Sequence, residues 1–128
     1  MAKEKAVKAT KVITKTAFYE CTFIVRQDLA KSDVDTVTDT LAALLTKNGG
    51  KVLKREYWGL RPLAYEVAKN RRGHYVLLGV EATAAAVAVM TNEMRISEDV
   101  IRNMEVRVDK IDSKPSVILQ RSDESEAA

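Results

Sequence analysis

The sequence predicts an α+β fold, a ferredoxin-like split-βαβ sandwich in which two helices cover one face of a four-stranded antiparallel sheet. Two observations predict it. Four stretches alternate apolar and polar residues as strands do, and two others repeat apolar residues at helical spacing. Their order is strand, helix, strand, strand, helix, strand, written βαββαβ. A chain of 128 residues is long enough to form one such domain without a metal or disulfide.

The first predicted strand covers residues 18–26. Tyr19, Cys21, Phe23 and Val25 alternate with a second face that is itself partly apolar, which favours a central position in the sheet. The lone cysteine lies in this apolar run and is expected to be a buried small side chain. A single cysteine without an internal partner fits a reducing compartment.

The first helix is predicted to begin at Ser32, a common N-cap residue that Asp35 follows three positions later. The helix should end at the Asn48-Gly49-Gly50 sequence. Its apolar stripe consists of Val34, Val37, Leu41, Leu44 and Leu45.

Residues 51–58 and 63–68 predict a long, interrupted strand broken near Gly59 and Pro62. Because proline has no amide hydrogen to donate, Pro62 is expected on an edge strand or at a bulge. Residues 70–73 have the composition of a turn, and residues 74–81, apolar on both faces, predict a second central strand.

Thr83 is expected to cap a second helix that continues to about Arg95. A last strand follows it. Its alternation predicts one set of side chains facing the core and another facing solvent. The inward set is Val100, Met104, Val106 and Val108, and the outward set is Asn103, Glu105, Arg107 and Asp109.

Charge divides the chain into three regions. Residues 1–17 hold five lysines and one glutamate and predict a flexible basic arm, residues 18–110 the folded domain, and residues 111–128 a flexible acidic tail. Between residues 47 and 72, eight basic residues stand against two acidic ones, although the whole chain carries only +3. No apolar run reaches the roughly 18 residues that a membrane-spanning helix needs.

The concentration of positive charge after Gly59 predicts a surface for RNA. Leu63, Tyr65 and Val67 alternate on one strand face with basic residues around them. The predicted RNA-binding residues are Lys54, Arg55, Arg61, Lys69, Arg71 and Arg72. Trp58, Leu63 and Tyr65 are predicted to contact a protein partner, with core packing and base stacking as alternatives for the aromatic rings.

The sequence contains no pattern typical of an enzyme or of a cofactor site. His74, the sole histidine, has no accompanying nucleophile, and one histidine with one cysteine cannot supply a zinc site. No glycine-rich phosphate loop precedes a helix. An RNA-recognition motif would carry aromatic residues where His74, Val76 and Gly79 stand, so base stacking on the open sheet is not expected.

Several of these residues also resemble the sequence pattern of a known family. Gly59, Arg61, Leu63, Ala64 and Tyr65, followed by Lys69, Gly73 and Tyr75 and preceded by Tyr19-Glu20, form a segment pattern that resembles the bacterial ribosomal small-subunit protein six family. The resemblance covers about residues 18–109. Pro62 and Val67 depart from the family pattern, and the basic arm is longer than is usual there.

The resemblance implies a nonenzymatic, cofactor-free protein of the cytoplasmic small ribosomal subunit. It further implies binding to small-subunit ribosomal RNA together with ribosomal small-subunit protein eighteen, in support of platform assembly, with no membrane contact.

Two other functions use the same fold. A small-molecule-binding regulatory domain would bind its ligand at a dimer interface and would not need the basic segment. An acylphosphatase-like hydrolase would need an arginine-bearing anion loop after the first strand, but Arg26-Gln27-Asp28-Leu29 lacks glycines and places a carboxylate there.

Overall fold

The computed structural model describes residues 15–112 and has the predicted order of elements. The elements are β1 (Thr16–Arg26), α1 (Lys31–Lys47), β2 (Lys51–Val67), β3 (Asn70–Thr83), α2 (Ala84–Ile96) and β4 (Val100–Val108). The predicted arm and tail lie outside the described residues except at positions 15–17 and 111–112.

The strands form one antiparallel sheet in the order β2-β3-β1-β4, so β1 and β3 are central as predicted. Both helices pack on one face of this sheet, the helix face, and the other is the open face. Burial of apolar side chains between sheet and helices supplies the main driving force for folding. The fully buried side chains include Cys21, Phe23, Val25, Leu41, Leu45, Leu78, Val80, Met90 and Met94.

Cys21 lies in this core, as predicted for it. Burial raises the pKa of its thiol from 9.0 to about 12, and the negative charge of Glu105 adds to the shift. Because the thiolate is the reactive form, the folded protein holds Cys21 as an inert apolar side chain at neutral pH.

The N-cap of helix α1 lies two residues before its predicted position. Ala30 is the N-cap, and Ser32 lies inside the first turn. Asp33 explains the difference, because its Oδ2 accepts a hydrogen bond from the Ala30 amide at 3.2 Å. That contact is half of a capping box, and it needs no side-chain oxygen at the cap itself.

The other helix boundaries follow the sequence. Gly49 takes a left-handed φ of +88° directly after the C-cap residue Asn48, and the amide of Gly50 donates to the Leu45 carbonyl at 2.9 Å. Such a glycine ends a helix at little steric cost. At the start of α2, Thr83 Oγ1 accepts a hydrogen bond from the Ala86 amide at 3.1 Å.

The predicted orientation of β4 is wrong for most of the strand. Val100 is buried as expected, but Met104 and Val106 lie on the open face and are 60% and 45% exposed. Val108 shares their face, because these three residues pair with open-face positions of β1.

A bulge at Ile101 causes this reversal. Val25 pairs with Val100, whereas its neighbour Ile24 pairs with Arg102, so β4 contains one residue more than β1 at this point. The extra residue turns all following side chains to the opposite face.

Position 73 requires glycine because its backbone lies close to a side chain of β1. A Cβ at this position would lie 2.2 Å from Ile24 Cγ2, which belongs to a stiff β-branched side chain. We expect Gly73→Ala to lower the free energy of unfolding by about 1–3 kcal/mol in urea denaturation. In an Ile24→Ala background, where the clashing methyl is gone, the same change should cost much less. Equal costs in both backgrounds would show that this contact is not the cause.

Candidate nucleic-acid interface

The basic segment folds into a hairpin of β2 and β3 that extends beyond the rest of the sheet. The β1–β3 ladder ends at the pair Arg26 and Gly73, whereas β3 begins at Asn70. The hairpin tip, defined here as residues 61–72, therefore lies beyond the last β1–β3 pair. A protruding hairpin gives its side chains access to a large partner.

The turn at the tip is formed by Ala68 and Lys69, and the prediction of a turn at residues 70–73 is wrong. These two residues have φ values of 47° and 67°, and Val67 pairs with Asn70 on either side of them. Two successive residues with positive φ form the hairpin turn whose twist matches that of the flanking strands.

Asn70 holds the turn in place from within. Its side chain is buried, and its Nδ2 donates to the carbonyls of Val67 at 3.2 Å and Ala68 at 2.9 Å. Its Oδ1 accepts a hydrogen bond from the Gln27 amide at 3.0 Å, and Gln27 Oε1 accepts one from the Arg72 amide at 3.2 Å. The turn is thus tied to the loop between β1 and α1.

Three basic side chains leave this fixed turn toward solvent: Lys69, Arg71 and Arg72. Within residues 15–112, none of them takes part in a salt bridge. Their charges are therefore available to a polyanion. Arg61, on the partner strand of the same tip, is half-buried and donates from Nε to the Trp58 carbonyl at 2.8 Å.

The other two predicted RNA-binding residues lie farther down β2 and contact carboxylates. Arg55 faces α1, where its guanidinium bonds the Asp39 carboxylate and lies 4.0 Å from that of Asp35. Lys54 Nζ lies 3.8 Å from Glu56 Oε2 on the open face. Sequence spacing alone did not separate these neutralised charges from the exposed ones at the tip.

Trp58 is held by contacts within the sheet. Its indole Nε1 donates to Glu56 Oε1 at 3.0 Å, and its ring stacks on Tyr75 with centroids 6.5 Å apart and planes 17° apart. The ring is half-buried, and it lies at a point where the β2–β3 register shifts. It therefore packs on the open face of the sheet against Tyr75 and keeps part of its surface exposed.

Pro62 lies on an edge strand beside an irregularity, as its missing amide hydrogen predicted. It pairs with Arg72, and the next pair along the hairpin joins Val67 to Asn70. Residues 63–66 consequently loop out of the ladder. Leu63 is half-buried in this loop, and Tyr65 is 57% exposed.

His74 is a buried side chain whose two ring nitrogens form hydrogen bonds within the fold. It is 5% exposed, and its Nε2 lies 2.8 Å from the Leu29 carbonyl, which can only accept, so this nitrogen donates. In the neutral ring, Nδ1 then accepts from the Tyr57 hydroxyl at 2.8 Å. Burial raises the pKa of Tyr57, and the charge of Asp35 adds to the shift. The pair fixes the base of the hairpin and leaves no nitrogen for RNA.

The described residues contain no arrangement suited to catalysis at the loop after β1. Arg26, the one arginine there, donates to Asp99 Oδ1 at 2.9 Å and also bonds Asp28. The hydrogen bond to Asp99 is the main cause that raises the pKa of Arg26. Two carboxylates thus occupy the guanidinium that a hydrolase would use for phosphate.

The described residues contain neither a metal-binding cluster nor a helix able to span a membrane. No group of three or more His, Cys, Asp or Glu side chains within residues 15–112 could hold a metal ion. None of the helices in that range is long and apolar enough to cross a membrane.

Comparison with known proteins identifies the family. The sequence model described as "Ribosomal protein S6" matches residues 18–107. The chain belongs to the ribosomal protein S6 family. The bS6 protein of Paramagnetospirillum magneticum is 49% identical over 104 residues, which are 81% of this chain and 72% of the relative. That of a Caulobacter species is 48% identical over 107 residues, 84% of this chain and 85% of the relative.

A solved structure agrees on the fold. The crystal structure of 30S ribosomal protein S6 from Thermotoga maritima superposes with a TM-score of 0.68 and covers 89% of this chain and all of its own. Its sequence is 20% identical to this one, so the likeness concerns the ferredoxin-like architecture. The predicted fold class is confirmed.

Family membership also confirms the predicted class of function. The S6 relatives are named small ribosomal subunit proteins, so this chain is a nonenzymatic structural constituent of the small ribosomal subunit. The predicted family and the predicted subunit are thereby confirmed. The individual RNA and partner contacts stay predictions.

The left-handed turn offers a way to separate backbone strain from charge. We expect Ala68→Asn to raise the free energy of unfolding by about 0.5–1 kcal/mol, because asparagine tolerates positive φ better than alanine. RNA affinity should not change. Lys69→Gly should relieve similar strain at the next residue but weaken RNA binding, because it removes a cation. Urea denaturation and RNA titration of both variants check this, and a loss of stability in Ala68→Asn would contradict it.

Proposed function

We propose that this protein binds small-subunit ribosomal RNA jointly with ribosomal small-subunit protein eighteen and so supports assembly of the platform. The observation that carries the proposal is the set of exposed cations at the hairpin tip, Lys69, Arg71 and Arg72, with no carboxylate bound to them among the described residues. Contacts to phosphates supply much of the affinity of proteins for nucleic acids.

The tip is suited to this role because the turn of the hairpin is held in place before RNA binds. Asn70 and Gln27 hold the turn through hydrogen bonds of 3.0 Å and 3.2 Å, so binding does not have to order that backbone. Arg61 adds a fourth charge on the opposite strand of the tip. Lys54 and Arg55 extend the basic segment, but their contacts with Glu56, Asp35 and Asp39 reduce the charge that they offer.

The edge of β2 is the proposed surface for the protein partner. Edge strands leave backbone donors and acceptors unpaired, and such an edge accepts another chain readily. Trp58, Leu63 and Tyr65 supply apolar and aromatic area along it, and aromatic residues dominate the energetics of many interfaces. Tyr65 is more than half exposed in the isolated domain.

Replacing two tip arginines should flatten the salt dependence of RNA binding. Each phosphate contact contributes about 0.9 to the slope of log K against log salt for duplex and about 0.7 for single strands, so Arg71→Gln with Arg72→Gln should lower the slope by about 1.4–1.8. The measurement is titration of small-subunit RNA, with protein eighteen present, across a range of salt concentrations.

Arg55→Gln is the matched control for this experiment. It removes the same charge from the same hairpin, but its guanidinium is bound to α1 carboxylates. We expect its slope to stay at the wild-type value. An unchanged slope in the double tip variant, or an equal fall in the control, would contradict the assignment of the tip to RNA.

Joint binding predicts that Trp58→Ala weakens recognition only when protein eighteen is present. Small-subunit RNA is titrated with this protein, with protein eighteen, and with both. We expect the mixture to bind more tightly than either protein, and Trp58→Ala to reduce that gain by about fivefold or more, as at interface residues that contribute over 1 kcal/mol.

Ile96→Ala provides a control for the loss of an apolar side chain. Ile96 is 68% exposed at the end of α2, away from the β2 edge, and its removal should leave the gain unchanged. Urea denaturation of both variants shows whether each remains folded. Equal affinity of this protein alone and of the mixture would rule out cooperative recognition.

A further inference from the structure

The looped-out part of the hairpin tip is poorly held by its own ladder. Between the pair of Pro62 with Arg72 and the pair of Val67 with Asn70, residues 63–66 stand opposite Arg71 alone. Pro62 itself lacks an amide hydrogen. The hydrogen bonds of Asn70 fasten the turn, but they reach Val67 and Ala68 and not residues 63–66. This stretch therefore depends on side-chain contacts for a fixed position.

One such contact comes from the opposite edge of the sheet. The guanidinium Cζ of Arg102, on β4, lies 4.9 Å from the centroid of the Tyr65 ring. That distance is within the roughly 6 Å over which a cation and an aromatic face attract one another. Since β2 and β4 are the two outer strands, the contact bridges the width of the open face.

The bulge in β4 makes the contact possible. Arg102 pairs with Ile24, an open-face position of β1, only because Ile101 is inserted after Val100. Without this extra residue, Arg102 would point to the helix face. Arg102 forms no salt bridge with the other described residues, and its guanidinium lies against the ring of Tyr65.

We propose that Arg102 is a positioning residue that acts through Tyr65: it holds residues 63–66 across the open face and thereby fixes the hairpin tip for RNA and partner binding. The proposal rests on the proposed function for its functional half. Arg102 fastens one strand of the tip, and Asn70 with Gln27 fastens the turn and the start of the other strand. Both strands of the tip are then fixed before binding.

A double-mutant cycle tests whether Arg102 acts through the ring. Arg102→Met, Tyr65→Leu and the double variant are titrated with small-subunit RNA in the presence of protein eighteen. Arg102→Met should weaken binding by about three- to tenfold in the wild-type background, the range expected from loss of a cation–π contact. It should add nothing in the Tyr65→Leu background. Equal losses in both backgrounds would show that Arg102 contacts RNA directly, which overturns the proposal.

Two control variants separate the ring contact from charge and from the hydroxyl. Arg107→Met removes the same charge from the same strand and should keep wild-type affinity. Tyr65→Phe retains an aromatic face for the guanidinium, so Arg102→Met should cost as much affinity in the Tyr65→Phe background as in the wild type. A loss in Arg107→Met as large as in Arg102→Met would indicate a general charge effect and would overturn the proposal.

Amide hydrogen exchange of the isolated protein tests the fastening without RNA. In Arg102→Met, amides of residues 63–72 should exchange about three- to tenfold faster, whereas those of the β1–β3 ladder should not change. Unchanged exchange at the tip overturns the proposal. If the wild-type protein and protein eighteen together bind no small-subunit RNA, the proposed function fails, and exchange still decides whether Arg102 holds the tip.

Discussion

The pairing of β1 with β3 is the constraint on which the rest of the structure depends. The two strands pair without a register shift from Thr16 opposite Thr83 to Arg26 opposite Gly73. This register places the apolar side chains of both strands on the helix face, and a slip of one residue would turn them to the open face. Every register shift of the sheet lies instead in the pairs that add the edge strands. Because the β1–β3 pairing fixes the core, the edge strands β2 and β4 can contain bulges without disturbing it.

The irregular edges determine which charges can meet a polyanion. Arg55, between two register shifts of β2, faces α1 and is bound there by the carboxylates of Asp39 and Asp35. At the hairpin tip, Arg71 and Arg72 are exposed and have no carboxylate partner among residues 15–112. The same side-chain chemistry therefore stabilises the fold at one place and offers charge at another. Net charge along the sequence could not distinguish these two roles.

The sequence predicted the central strands from periodicity and the helix boundaries from capping residues. It did not predict the face of β4, where the backbone contains an extra residue. Alternation gave the two central strands, and Thr83 and Gly49 gave helix boundaries through local chemistry. The bulge at Ile101 carries no such signal, and it reversed the predicted face of β4. The predicted position of the hairpin turn was wrong for a different reason, because Ala68 and Lys69 are not residues that usually adopt positive φ. Their conformation is imposed by Asn70, whose tertiary contacts are not visible in a local pattern.

The chain's own residues favour the hairpin over the open face as the proposed site of RNA recognition. In an RNA-recognition motif the central strands present aromatic rings on that face. Here Gly79 leaves a notch on β3, where an added Cβ would lie 2.9 Å from Ile111 Cγ2 and 3.0 Å from Lys54 Cβ. Ile111 thus covers the central strand after β4 has ended. With Tyr65 in contact with Arg102 across another part of the face, neither this ring nor the position of Gly79 offers a base a bare aromatic platform. The protruding tip and the β2 edge therefore remain the surfaces that we propose for RNA and for the protein partner.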